Sequence, residues 1–109
     1  MKMICFNFLI CLSFLNAMNI QNESFEQNVF YEKFINHPSY ENALNLAKYF
    51  YQIKDYQKAI FWAVEANEFE LLEKEAWLVF INAKLKLGKH EDALKAKEEY
   101  EKLLGNYFE

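Results

Sequence analysis

The chain can be laid over itself at an offset of 34 residues, and both copies then read as a pair of short helices. The first copy runs Glu41, Leu44, Leu46, Ala47 and Phe50, turns at Lys54-Asp55, and continues through Tyr56, Ala59, Ile60 and Ala66. The second runs Glu75, Leu78, Phe80 and Ile81, turns at Gly88-Lys89, and continues through His90, Ala93, Leu94 and Tyr100. Glu41/Glu75, Leu44/Leu78, Ala59/Ala93 and Glu65/Glu99 are identical pairs. A fixed period of this size marks a helical array, in which each unit buries its apolar face on a neighbour. Such arrays usually serve as binding surfaces, so the period narrows the function as well as the fold.

Five helices are predicted, over about 25–36, 40–53, 56–67, 73–87 and 90–104. Ser24, with Gln27 three residues on, is expected to open the first as a capping box, and His37-Pro38 to end it, since the residue before proline is pushed out of the α region. Ser39 and Asp55 are placed to cap the second and third. The fourth carries the most apolar mass, in Trp77, Leu78, Phe80, Ile81, Leu85 and Leu87, and Gly88 supplies the left-handed residue that stops it. Ala93, Leu94, Tyr100, Leu103 and Leu104 are expected to share one face of the fifth helix, with Gly105 ending it and 106–109 fraying. No stretch alternates as a strand would. The fold class is therefore all-α, and the short connections require consecutive helices to pack antiparallel.

Residues 4–15 are apolar apart from Asn7 and Ser13, follow the basic Lys2, and precede Asn16-Ala17. This describes a secretory signal peptide over 1–17, with a retained anchor fitting less well because a bilayer crossing needs ~20 apolar residues. Cys5 and Cys11 lie within it, so the mature chain would hold no disulfide, thiolate metal site or cysteine nucleophile. Export without cysteine, and the bias to Lys, Asn, Phe, Ile and Tyr without any Arg, point to a bacterial periplasm. The chain carries 12 basic against 16 acidic residues. That balance argues against nucleic acid and against anionic lipid as partners. The rest divides into a first helix at 18–38 and two units at 39–73 and 74–109.

The residues of the two units resemble the tetratricopeptide repeat. Leu46, Ala47, Phe50, Tyr56, Ala59 and Ala66 stand where that family places its leucine, small residues and aromatics. In the second unit Trp77, Gly88 and Ala93 fit, while Ile81, Lys84, His90 and Tyr100 depart from the pattern. The first helix falls where the second half of a preceding unit would lie. The resemblance implies a short stack of antiparallel hairpins, about five helices in all. It also implies a concave groove lined by the first helix of each hairpin. Carried over, the groove residues are Glu41, Leu44, Asn45, Lys48, Tyr51 and Gln52 from one unit. The other contributes Glu75, Leu78, Val79, Asn82, Leu85 and Lys86. The family's grip on C-terminal carboxylates is not implied, because the arginine and the third unit are missing.

Within that groove Asn45 and Asn82 can hydrogen-bond a peptide backbone, Lys48 and Lys86 offer charge, and Tyr51 and Leu78 offer apolar contact. Phe25, Phe30, Tyr31 and Phe34 load the first helix with more aromatic surface than one neighbour is expected to cover, so Phe30 and Phe34 are candidates for docking a partner or a second copy. The polar outer side of the last helix, 96–102, is suited to closing the array. No phosphate loop, nucleophile elbow or His-x-x-x-His spacing is present, and His37 and His90 read as structural. No catalytic, cofactor-binding or metal-ligating residue is assigned. The expected role is an exported adaptor for a protein or peptide of an envelope, secretion or DNA-uptake complex. The alternatives are a structural oligomer subunit without a peptide groove, or a regulatory subunit of an envelope enzyme.

Overall fold

The computed structural model describes residues 20–108, and among them the chain is helix and turn with no strand. Five helices follow in order: α1 (Ile20–Asn36), α2 (Tyr40–Gln52), α3 (Tyr56–Phe69), α4 (Lys74–Lys86) and α5 (His90–Phe108). The signal segment expected over 1–17, with Cys5, Cys11 and Ala17, lies outside the described residues. No helix among the described residues is long and apolar enough to cross a membrane.

Helix starts follow local chemistry. Ser39 Oγ accepts from the Asn42 amide at 3.1 Å and Asp55 Oδ1 from the Lys58 amide at 3.3 Å, so both expected caps form. Pro38 bars helix at the end of α1, where Asn42 Nδ2 donates to the carbonyls of Lys33 (3.2 Å) and His37 (2.9 Å). Two boundaries differ from expectation. Ser24 and Gln27 lie inside α1, because residues 20–23 hold no glycine or proline to stop the helix from starting earlier. Gly105 does not end α5, which keeps right-handed backbone through it to Phe108. A glycine costs a helix interior only about 1 kcal/mol, and here no proline follows it.

The 34-residue period is carried by the backbone. Helices begin at residues 40 and 74, then at 56 and 90. In the first turn the Lys54 amide donates to Tyr51 O and the Asp55 amide to Phe50 O, at 3.0 and 2.8 Å. In the second the Gly88 amide donates to Leu85 O and the Lys89 amide to Lys84 O, both at 2.9 Å. Each is the paired-bond closure that ends a helix on a left-handed residue. Gly88 takes φ +78° and Lys54 takes φ +68°, so a lysine occupies the strained conformation that glycine adopts freely.

Each helix packs on the next in sequence, and α2 also touches α4. The core is centred on the first hairpin: Leu46, Ala47, Phe50, Ala59, Ala63 and Ala66 are fully or almost fully buried, with Trp62 beside them. Alanines at 59, 63 and 66 let helix backbones come close, and the aromatics fill what remains. The second hairpin buries mainly Ala76, Trp77, Ala83, Ala93 and Ala96. Leu94, expected on the apolar face of α5, is instead exposed, because no further helix among those described covers that end of the stack. Leu78 and Leu85, expected to line a groove, are exposed as well.

Candidate functional site

Side chains of α2 and α4 meet in a groove. Lys48, Tyr51, Glu75, Leu78, Val79 and Asn82 line one depression of about 160 Å³. On α4, residues 75, 78, 79 and 82 recur at helical spacing and form a single stripe, while Lys48 and Tyr51 supply the facing wall from α2. All six belong to the set expected to line a groove. Lys48 Nζ lies 3.6 Å from Glu75 Oε1, so a salt bridge crosses the depression between two half-exposed side chains. Tyr51 is steadied by an edge-on contact with Tyr56 at 5.4 Å between ring centroids. Leu78 is 43% exposed, which presents an apolar surface to anything seated there.

Other expected groove residues are distributed differently. Asn45 is half-buried and Lys86 exposed, and neither lines the depression, although Lys86 follows Asn82 by one turn on α4. Leu44 is only 4% exposed and belongs mainly to the core, though it also borders a recess where α2 and α4 begin. That recess is surrounded by Ser39, Tyr40, Glu41, Leu44, Glu70, Glu73 and Glu75. The groove therefore runs from an acidic mouth toward lysine-bearing helix ends.

The aromatic residues of α1 pack against the chain itself. Phe30 meets Tyr49 at 5.5 Å, Tyr31 meets Phe50 and Trp62 at 6.3 and 5.7 Å, and Phe34 meets Trp62 and Phe69 at 5.0 and 6.2 Å. Phe30 and Phe34, expected as docking residues, thus anchor α1 on α2 and α3 and are half-buried there. Among the described apolar residues of α1, Phe25 and Ile35 face outward, about 70% exposed or more, and Val29 is partly exposed.

Three polar contacts that the sequence reading missed fix the link between the hairpins. The Tyr40 hydroxyl accepts from the Ala76 amide at 3.2 Å, capping α4 where Glu73 offers no side-chain cap. Trp77 Nε1 donates to Leu71 O at 2.7 Å, and the Tyr100 hydroxyl donates to Leu72 O at 3.1 Å. Burial is the chief cause that raises the Tyr40 hydroxyl above its ordinary value; the Ala76 amide opposes it, and Glu73 and Glu75 add to it. Tyr31 is raised by burial as well, against a hydrogen bond with Trp62. Both shifts have structural causes.

His37 and His90 are exposed at helix ends. Among the described residues no three His, Cys, Asp or Glu side chains gather into a group that could hold a metal ion. What the groove offers is a cation, carboxylates, a side-chain amide and an apolar floor. Compared with protein-family models, with curated proteins and with solved structures, the chain matches none of them.

Proposed function

We propose that this chain is an exported adaptor, a short tetratricopeptide-like array that holds a peptide or helix of a larger envelope complex in the groove between α2 and α4. The observation that carries the reading is the meeting of Lys48, Tyr51, Glu75, Leu78, Val79 and Asn82 around one depression. The backbone repeat of helix starts and turn hydrogen bonds at 34 residues supports the family likeness. The peptide would place an apolar side chain on Leu78 and Val79 and hydrogen-bond its backbone to Asn82. A basic group on it would face Glu41, Glu73 and Glu75 at the acidic mouth. Export rests on the composition of residues 1–17.

The test is affinity capture from envelope extracts with the wild-type chain and with Leu78→Ala/Asn82→Ala. Both substituted residues are exposed, so the melting temperature should hold. The adaptor reading predicts that a captured protein is lost with the double variant. Equal capture by both would overturn it. A second reading, an oligomer subunit without groove function, draws on Phe25 and Ile35 exposed on α1, and predicts that Phe25→Ser shifts the oligomeric state instead.

A further inference from the structure

On the opposite side of α4 from the groove lies a second cavity, an open cleft bordered by α3, α4 and α5. It measures about 360 Å³, at the small end of the ~300–1,000 Å³ typical of small-molecule sites. Trp77, Phe80, Val64 and Ala96 form its apolar lining, and Asn67, Lys84, Asp92, Lys95 and Glu99 its polar wall and mouth.

The repeat explains why the space is open. Thirty-four residues earlier, the corresponding gap between α1, α2 and α3 is closed by the chain's own rings. Trp62 sits there against Tyr31 and Phe34, edge-on at 5.7 and 5.0 Å, with Phe50 beneath Tyr31 at 6.3 Å. At the matching positions of the second gap, Trp62 becomes Ala96, Phe50 becomes Lys84, Tyr31 becomes Glu65 and Phe34 becomes Glu68. Trp77 and Phe80, in place of Ala43 and Leu46, restore only part of the lost volume. The second gap thus lacks the indole that helps fill the first, together with the rings around it, and is lined by Trp77 and Phe80 instead.

Two observations narrow what could replace it. Asn67 borders the cavity, and its side-chain Oδ1 is screened from solvent with no hydrogen-bond partner, so a turn of that amide toward the cavity would let it accept from a guest. At the mouth Lys84 is already committed, 3.3 Å from Asp92 and 5.4 Å above the Phe80 ring, and Lys95 is matched in number by Glu99. Balanced charge there favours a neutral guest over an ion.

We infer that the α3–α4–α5 cavity is a binding site for a neutral aromatic ring carrying a hydrogen-bond donor, of which the indole of a partner's tryptophan is the best match. The ring takes the place that Trp62 fills in the first gap, edge-on to Trp77 or Phe80, and its N–H serves Asn67. The site is independent of the α2–α4 groove, since Trp77, Phe80 and Lys84 face away from Leu78 and Asn82 around α4.

The test titrates N-acetyl-tryptophanamide, and N-acetyl-leucinamide as control, into the full chain, reading the Trp77 indole and Asn67 side-chain amide signals by NMR. Saturable shifts at both, with the Trp62 indole signal unmoved, are expected, and leucinamide should bind at least tenfold more weakly. Ala96→Leu, which fills the cavity from α5, and Val64→Phe, which fills it from α3, should each weaken binding at least tenfold; whichever variant folds decides. Asn67→Leu should reduce the preference for the indole over leucinamide. No saturable shift, equal affinity for the two probes, or unchanged binding in a folded cavity-filling variant would overturn the inference.

Discussion

The two hairpins share a backbone and divide the work. In α2–α3, Phe50 is 1% exposed and Trp62 is wedged among rings, so the first copy of the repeat is the core of the molecule. In α4–α5 the same two positions hold Lys84 and Ala96, and the apolar side chains Leu78, Leu85 and Leu94 stand outside. The first copy has neighbours on both sides, α1 and α4, while α5 packs on α4 alone among the described residues. Where the first copy is filled by rings, the second tolerates lysine at 84, alanine at 96 and an open cleft beside them.

The sharpest way to break this comparison is to truncate matched positions. Phe50→Ala should destabilise the chain by about 3–5 kcal/mol, the usual loss for emptying a buried aromatic site. Lys84→Ala, its counterpart, should cost less than about 1 kcal/mol, because it removes a partly exposed ion pair and a cation–ring contact. Chemical denaturation of both variants measures the difference. Similar losses at the two positions would mean that the second hairpin carries as much of the core as the first.

Helix capping gives a smaller and opposite pair. Asp55 caps α3, but the matched residue before α5 is Lys89, whose side chain has no acceptor. Asp55→Ala should cost about 1 kcal/mol, and Lys89→Asp should gain a somewhat smaller amount by supplying the missing cap and an anion at the helix start. Thermal melts of the two variants should move in opposite directions.

Much of the fold was legible because its signals are local. Ser39, Asp55, Pro38 and Gly88 act within a turn of their own position, and each sets the boundary its chemistry requires. The groove was legible in part for the same reason. Helical spacing puts 75, 78, 79 and 82 on one side of α4, whatever lies beyond it. What could not be read depends on contacts across the chain. Tyr40 caps α4 from 36 residues away, and Tyr100 holds Leu72 from 28 residues away, so neither shows in a local pattern. Tyr100 looked like drift from the small residue at Ala66, yet its length is what reaches the Leu72 carbonyl. Leu94 was misassigned because periodicity gives a helix face and not the presence of a neighbour to cover it. Lys54 had a signal that could have been used: it stands 34 residues before Gly88, so the left-handed backbone of one predicts that of the other.

The central claim is that one repeated backbone carries a stabilising copy and a permissive one. Native-state hydrogen exchange on the full chain tests it most directly, residue by residue, through the turn and helix amides that the two copies share. The account predicts that amides of α2 and α3 exchange only through global unfolding. Those of α5 should open in a sub-global event at clearly lower free energy, with the Lys89 amide less protected than its counterpart at Asp55. Equal protection of the two copies, or an α5 that outlasts α2 and α3, would contradict it.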